Sequence, residues 1–378
     1  MREEVDVPEV PLTNLGAHDD APSDGIGLCL SGGGYRAMLF HVGALWRIVD
    51  ACKIKSLTRV SSVSGGSITA GVLALGWDKI ADGDVESFRE VVVGPIRKMA
   101  STTIDRNSII GGALLPGSIS DYVSGAYSRH LFGEKTLQHL PDEPRFVINA
   151  TNLETGSLFR FSKRHNSDWR LGQIMAPTTS IADAVAASSA FPPLLSPFIL
   201  KSGPGDFTGG EEIDDDFKTD ISLTDGGVYD NLGLETVWKR CATVFVSDGG
   251  GRLADDSEPP ADWVRQSKRI LDVIDHQVRN LRKRQVVQSL ANDNRKGAYW
   301  GIRTNIADYG LGGNALPCPF EKTIGIADEP TRLKRMPPER QEQIINWGYA
   351  VTDAALRRHY DDSLQRPAGF PYPGTGIG

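Results

Sequence analysis

Short apolar runs alternate with longer stretches of helical spacing along the first part of the chain. The run "GIGLCLS" (residues 25–31) predicts a buried strand, which a run of glycines ends. The stretch "YRAMLFHVGALWRIVDA" (35–51) predicts a helix, because its apolar residues recur at helical intervals. The segments "LTRVSSV" (57–63) and "GSITAGVLALG" (66–76) repeat this order. Strand, glycine turn and helix in repetition predict a parallel sheet with helices on its faces.

The pattern continues more loosely and then becomes helical beyond about residue 250. Further strands are predicted at 145–152, 157–162 and 242–248, and helices at 180–190 and 232–240. The predicted fold class is α/β, with three layers, a mostly parallel sheet, helices on both faces and a C-terminal helical extension. We expect a flexible N-terminal arm (1–24), a sheet domain (25–250) and a helical region packed on the same domain (251–378).

One helix of the C-terminal region, predicted over 264–290, is both amphipathic and basic. Its apolar stripe consists of Ile270, Ile274, Val278 and Leu281, and seven arginines and lysines surround that stripe. Such a helix either packs its stripe on the sheet or rests on anionic lipid. The final helix, at about 338–360, is amphipathic and predicted to pack in the core.

Composition narrows the classes of function. The formal net charge of -7 argues against general nucleic-acid binding. The four cysteines show no metal or disulfide spacing, which favours reduced thiols and a cytoplasmic protein. No secretion signal or long apolar run is evident. The acidic stretch 203–220 predicts a solvated loop, with a calcium site as the alternative.

Ser64, in "SSVSGGSITAG" (61–71), lies between a predicted strand and a predicted helix. A serine at such a corner is exposed at the carboxyl edge of the sheet, and Gly65 and Gly66 remove side chains that would collide with the turn. The amide of Gly65 would face an oxyanion formed when Ser64 attacks a carbonyl. A small-residue turn without catalytic function is the alternative.

A serine nucleophile needs a base, and none of the seven histidines has a suitable context. His41 lies within the first helix, where a packing role is favoured. Asp225, in "SLTDGGVYDNLG" (222–233), follows a strand and precedes Gly226 and Gly227, so we expect it at the same sheet edge as Ser64. Its alternative role is to cap the following helix.

The turn "SGGGYR" (31–36) supplies the third element. Gly32, Gly33 and Gly34 would present backbone donors to an anion, and Arg36 adds a cation. No P-loop or spaced dinucleotide-binding signature is present, and we expect no cofactor and no metal.

These motifs together resemble the patatin-like phospholipases, whose pattern is D-G-G-G-x-R-G, then G-x-S-x-G, then D-G-[GA]. The segments "VINATNLETG" and "AASSAFPPLLSP" are also similar, and the resemblance covers about residues 25–250. Ser31, Ala37 and Ser62 differ from the family pattern.

The resemblance implies a Ser64–Asp225 dyad without histidine. Asp225 would be the general base, and Gly32, Gly33, Gly34 and Gly65 would form the oxyanion hole. Arg36 would position the loop or bind lipid phosphate, and Gly66, Gly226 and Gly227 are motif glycines. The apolar segment 107–119 is either a lid or a buried connection.

The predicted function is a serine acyl hydrolase of the phospholipase A or lysophospholipase type. It would cleave carboxylic esters of membrane phospholipids or lysophospholipids, with transient contact at the inner membrane surface. One alternative is a regulated effector or toxin that degrades lipid only when triggered. The other is a catalytically silent lipid-binding or scaffold protein.

Overall fold

A computed structural model describes residues 22–80, 82–104, 119–193 and 195–377. The strands are β1 (Ser23–Leu30), β2 (Leu57–Val63), β3 (Arg145–Asn152), β4 (Leu158–Phe161), β5 (His165–Asp168), β6 (Gly172–Met175), β7 (Phe198–Leu200), β8 (Phe207–Thr208), β9 (Ile221–Asp225), β10 (Cys241–Asp248) and β11 (Lys296–Gly301). The α-helices are α1 (Gly34–Asp50), α2 (Gly65–Ile80), α3 (Val85–Phe88), α4 (Gly94–Ala100), α5 (Ile119–Tyr127), α6 (Ile181–Ser188), α7 (Gly227–Asp230), α8 (Glu235–Trp238), α9 (Trp263–Ala291), α10 (Phe320–Ala327) and α11 (Pro338–His359).

The strands form one mixed sheet in the order β11-β10-β1-β2-β3-β4-β5-β6-β8. The half from β11 to β3 is parallel, and the strands beyond β3 pair antiparallel. The α/β fold predicted from the strand–helix alternation is therefore confirmed. The antiparallel half arises because short turns, such as the one after Asn152, return the chain directly instead of through a helix.

Alternating side chains of β1 divide the core between the two faces of the sheet. Leu28 and Leu30 lie in the larger cluster with α1, α2 and α11, whereas Cys29 lies in a smaller cluster with residues of α8 and α9. This alternation follows from the two-residue period of a strand. Helix α1, which follows β1, therefore lies on one face of the sheet, and α9, which comes after β10, lies on the other.

The structure describes some of the predicted segments and not others. The predicted arm lies outside the described residues as far as residue 21, and β1 begins at Ser23. The segment 107–118, where a lid was considered, also lies outside them. The final helix, α11, is buried along most of its length, as predicted.

The apolar stripe of α9 does not pack on the sheet. Ile270, Ile274 and Leu281 are each more than half exposed, and the helix turns Val286 inward instead. Three of the four stripe residues therefore face outward, whereas the helix itself packs on the protein body through Val286. Among the described helices, none combines the length and the apolar composition that a membrane span requires.

Helices α1 and α11 approach closely because glycines face the partner's backbone. A Cβ added to Gly43 would lie 2.0 Å from the carbonyl oxygen of Ile345, and one added to Gly348 would lie 2.1 Å from that of Phe40. Backbone atoms cannot rotate away as side chains do. This contact fixes the distance between the two helices and, through α1, supports the turn that precedes it.

We predict that Gly348→Ala lowers the free energy of unfolding by about 1–3 kcal/mol, because the methyl group forces the two backbones apart. Urea unfolding measures this change. Gly325→Ala is the matched control, since that α10 glycine has no atom within 4 Å of an added Cβ. It should be neutral or slightly stabilising, and equal losses in both variants would contradict the account.

Candidate active site

Strands β2 and β9 meet end to end along the same side of β3. Val63, the last residue of β2, pairs with Asn149, and Asp225, the last residue of β9, pairs with the next residue, Ala150. The other side of β3 is occupied by β4. Asp225 therefore arrives at the corner of Ser64 from the opposite direction, because β9 is antiparallel to β3.

Ser64 forms the corner between β2 and α2 with a left-handed backbone, at φ 51°. This conformation costs a non-glycine residue about 1–2 kcal/mol. The Ser64 carbonyl accepts bonds from the amides of Ser67 at 2.8 Å and Ile68 at 3.2 Å, which start the helix. Such a strained corner is the geometry of a nucleophile elbow.

The buried hydroxyls of serine residues form a hydrogen-bond network that supports the turn at Ser64. The Ser188 hydroxyl accepts from the Ser64 amide at 3.0 Å and donates to the Asn149 carbonyl at 2.6 Å. The Ser67 hydroxyl lies 2.9 Å from that of Ser188 and donates to Ser62 at 3.0 Å. Ser62, which differs from the family pattern, therefore belongs to the hydrogen-bond network that supports the turn.

Asp225 is almost completely buried beside the Ser64 hydroxyl. Its Oδ1 accepts from the Gly227 amide at 2.7 Å, whereas Oδ2 has no hydrogen-bond partner of normal geometry among the described residues. Burial raises the pKa of Asp225 to about 7, although the Gly227 amide and the nearby Ser64 hydroxyl act in the opposite direction. The carboxylate is thus a stronger base than an exposed one.

The glycine turn 32–34 packs directly against the start of α2. A Cβ on Gly65 would lie 2.2 Å from the Gly34 carbonyl oxygen. Within the described part of the chain, the amides of Gly33, Gly34 and Gly65 have no hydrogen-bond partner. The Gly32 amide, in contrast, donates to the Asn231 carbonyl at 3.0 Å. It is therefore engaged and does not serve as an oxyanion donor in this conformation.

The motif glycines allow backbone segments to approach. Gly66 lies against the carbonyls of Leu30 and Ser31 at the end of β1, and Gly226 lies against the Asn149 carbonyl. Added Cβ atoms at these two glycines would lie 2.3 Å from the carbonyl oxygens of Leu30 and Asn149, respectively. Their role is to bring β1, β2 and β9 into one corner.

Arg36 is buried and holds loops rather than facing open space. Its Nε donates to the Gly249 carbonyl at 3.2 Å, and its terminal nitrogens bond the Glu329 carbonyl and the Thr331 hydroxyl. These contacts tie the glycine turn to residues 329–332, and the Tyr35 amide donates to the Arg332 carbonyl at 3.0 Å. Of the two roles considered for Arg36, the contacts favour positioning of the loop.

His41 is a packing residue, as its position in the helix indicated. Its Nε2 donates to the Ser31 carbonyl at 2.9 Å, and its Nδ1 lies 2.8 Å from the Ser247 hydroxyl. Burial lowers the pKa of His41 to about 4, and the bond to Ser31 acts in the opposite direction. The imidazole is therefore neutral and joins the ends of β1 and β10.

Apolar side chains lie beside the dyad. Phe191 follows Ala190, whose carbonyl accepts the Asp225 amide at 3.0 Å, and Val228 follows Gly227. Both side chains are 49% exposed. In the part of the chain that the structure describes, no cluster of side chains suited to a metal ion occurs, including the acidic stretch 203–220.

The family model for patatin-like phospholipases matches residues 28–238, which is more than half of the chain. The chain belongs to the patatin-like phospholipase family. The resemblance seen in the motifs is thereby confirmed. A comparison with curated proteins found no match.

The solved structure of one phospholipase shares this fold. Human GIVD cytosolic phospholipase A2 aligns with a TM-score of 0.50 at 11% identity, over 88% of this chain and 58% of the human chain. VipD from Legionella pneumophila aligns with a TM-score of 0.38 at 15% identity, over 90% of this chain and 68% of VipD. This patatin-like chain thus spans less than two thirds of the human enzyme.

Sequence reasoning overlooked the residues that support the patatin-like site. Ser188 and Asn149 lie in the segments "AASSAFPP" and "VINATN", which carried the resemblance without an assigned role. Asn231 places its side-chain oxygen beside both Gly32 and Gly227. Its position in "DGGVYDN" offered a signal, whereas the distant Arg332 offered none.

We predict that Ser188→Ala destabilises the protein by about 1–3 kcal/mol and slows acylation of Ser64, because the buried Ser64 amide loses its acceptor. Urea unfolding and the rate of labelling by a fluorophosphonate measure the two effects. Ser56→Ala removes an exposed hydroxyl that also bonds a carbonyl, and it serves as the control. Equal behaviour of both variants would overturn this role.

The raised pKa of Asp225 also predicts a stability effect. The unfolded carboxyl has a pKa near 3.9, so the folded state loses stability as pH rises from about 4 to about 7, and the loss is complete above that range. Asp225→Asn should remove this loss, which is on the order of 4 kcal/mol at most. Urea unfolding across pH tests it, with exposed Asp216→Asn as the control. Identical pH profiles of wild type and Asp225→Asn would refute the desolvated carboxyl.

Proposed function

We propose that the protein is a serine acyl hydrolase that cleaves carboxylic esters of phospholipids or lysophospholipids. The observation that carries the proposal is the meeting of β2 and β9, which brings Ser64 beside a buried carboxylate. Among the described residues, Asp225 Oδ2 has no hydrogen-bond partner of normal geometry and the amides of Gly33, Gly34 and Gly65 have no acceptor, which supports the proposal. Family membership favours lipid esters over other acyl compounds.

In the first half of the reaction, Asp225 accepts the Ser64 hydroxyl proton as Oγ attacks the ester carbonyl carbon. The negative oxygen of the tetrahedral intermediate accepts bonds from the glycine amides. The C–O bond to the alcohol then breaks, and the alcohol takes the proton from Asp225. An acyl group remains on Ser64.

In the second half, Asp225 accepts a proton from water, whose oxygen attacks the acyl carbon. The fatty acid leaves as the Ser64 oxygen regains the proton. Because the same carboxylate acts in both halves, no histidine is needed. Its pKa of about 7 suits a base that must accept and release a proton near neutral pH.

The surroundings of the dyad support a lipid substrate. Phe191 and Val228 offer apolar surface to an acyl chain. The exposed apolar side chains of α9, including Ile270 and Ile274, support transient contact with a membrane surface.

We predict that Ser64→Ala and Asp225→Ala each lower ester hydrolysis by at least about a thousandfold while the protein stays folded. Release of fatty acid from phospholipid vesicles measures the loss, and circular dichroism checks the fold. Ser87→Ala, at an exposed serine, should retain full activity.

Labelling by a fluorophosphonate separates this proposal from a silent lipid-binding protein. The wild type should label and Ser64→Ala should not, since only an activated serine reacts. Full hydrolysis by folded Ser64→Ala would overturn the mechanism, and absence of labelling in the wild type would favour the silent alternative.

A further inference from the structure

A second glycine-rich turn, Gly249–Gly251, ends β10 beside the glycine turn of the dyad. It borders a cleft of about 170 Å³ that the catalytic mechanism does not use. The charged side chains that line the cleft are Asp248, Arg252, Arg279, Lys283 and Arg303. These residues come from the carboxyl ends of β10 and β11 and from the middle of α9.

The cleft lies close to the point where the helices that follow neighbouring strands change from one face of the sheet to the other. Helix α1 follows β1 on one face, and α9 follows β10 on the other, although β1 and β10 are parallel neighbours. The cleft lies next to this switch point, on the side of β10 that faces β11, and its described lining comes from β10, β11 and α9. Such switch points are the places where open α/β sheets bind ligands.

The lining carries more cations than anions. Arg252, Arg279, Lys283 and Arg303 contribute four positive side chains, and Asp248 is the one carboxylate among the described lining residues. Asp248 is held by Lys283 at 3.2 Å and by the Tyr299 hydroxyl at 2.8 Å. Burial alone would raise the pKa of Asp248, but the charges of Lys283 and Arg279 hold it well below its usual value.

Arg279 is the least satisfied of these cations. Its terminal nitrogens lie 4.0 Å from Asp248 and 3.9 Å from Asp275, which is the outer limit of an ion pair. Its Nε is buried without a partner in the described structure. Since burying a guanidinium without hydrogen bonds is costly, these donors favour an additional anion in the cleft.

The remaining cations are partly engaged outside the cleft. Arg303 donates to Asp328 at 2.6 Å and to the Ala327 carbonyl, yet its buried Nε also lacks a described partner. Arg252 pairs with Asp255 at the exposed rim. Burial, together with the charges of Arg279 and Arg303, lowers the pKa of Arg36 to about 10, whereas Asp248 and Glu329 act in the opposite direction.

We propose that this cleft binds a phosphate group, with Arg279 and Lys283 as its principal cations. A phosphate offers several oxygens to converging donors, which suits the three guanidinium groups and one ammonium that line this small polar cleft. The Gly251 amide, for which the described residues provide no partner, would add a backbone donor.

The loop that borders this cleft contacts the glycine turn 32–34, so a ligand in the cleft would lie against a loop that supports that turn. The Gly249 amide donates to the Ser31 hydroxyl at 2.8 Å, and the Gly249 carbonyl accepts from Arg36. Gly33 also lies against the Gly249 carbonyl. The two glycine turns are therefore in direct contact. The cleft is two strands from Ser64, which corresponds to about 10 Å across the sheet.

The phosphate has two potential sources, the head group of the substrate or a free phosphorylated compound. The first source rests on the proposed lipid hydrolysis, whereas binding of phosphate as such does not. Pyrophosphate is therefore the probe, and Ser64→Ala, which leaves the cleft intact, is the protein. Isothermal titration calorimetry at low salt measures its dissociation constant.

We expect pyrophosphate to bind, and Arg279→Gln and Lys283→Gln each to weaken it by about tenfold or more. Lys268→Gln, an exposed lysine of α9, should leave the dissociation constant unchanged. Thermal melting confirms that each variant is folded, and Lys283→Gln guards against misfolding at the more buried Arg279. No binding, or binding that neither substitution weakens, would overturn the proposal.

A second arm distinguishes the sources. Wild type and Arg279→Gln are compared on a phospholipid and on a neutral glyceride of the same acyl chains in the same micelles. A loss in kcat/KM that is about tenfold greater for the phospholipid assigns the head group. A change in glyceride hydrolysis by pyrophosphate, present in wild type and lost in Arg279→Gln, assigns a free ligand. If neither ester is hydrolysed, the proposed function fails while the calorimetry still decides the phosphate site.

Discussion

The buried carboxyl of Asp225 is the constraint on which the site depends. Its position follows from two strands that share one side of β3. The last residue of β2 and the last residue of β9 pair with adjacent residues of β3. This arrangement removes the carboxyl from water and leaves one oxygen free beside Ser64. Desolvation raises the pKa of Asp225 to about 7, which is the range that the proposed role as general base requires.

Close backbone contact explains the glycines of all three motifs. The turn 32–34, the start of α2 and the end of β9 approach so closely that a methyl group would collide at Gly65, Gly66 or Gly226. The Ser64 amide donates to the hydroxyl of Ser188 instead of to a backbone carbonyl. The hydroxyls of Ser62 and Ser67 extend this hydrogen-bond network. Ser62 contributes to that network, so its hydroxyl helps to hold the turn.

Local patterns were sufficient to predict β1, β2, β3 and β10 of the parallel half, whereas β11 (Lys296–Gly301) lies in the region predicted to be helical, so that prediction was wrong there. Residues 25–76 show strand, glycine turn and helix in immediate succession, and the motif around Asp225 pointed to the buried carboxyl that the structure places beside Ser64. The direction of β9 was not predictable, because it depends on pairing with β3 across more than 70 residues. The partners of Arg36 near residue 330 likewise have no local signal.

Helix α9 shows a different limit of sequence reasoning. Its periodicity correctly predicted a helix, but periodicity does not tell whether a stripe faces the sheet or the solvent. The decisive contacts were those of Val286 and Arg279, which face the protein body. Hydrophobic spacing therefore located the helix, and tertiary contacts determined its orientation.

The most direct test of this account is the pH dependence of the rate at which a fluorophosphonate acylates Ser64. If desolvated Asp225 is the base, the rate should rise by about tenfold per pH unit below a midpoint near 7 and then level off. A rate with no dependence on pH in this range, or with a midpoint near 4, the value for an ordinary exposed carboxyl, would contradict the central claim.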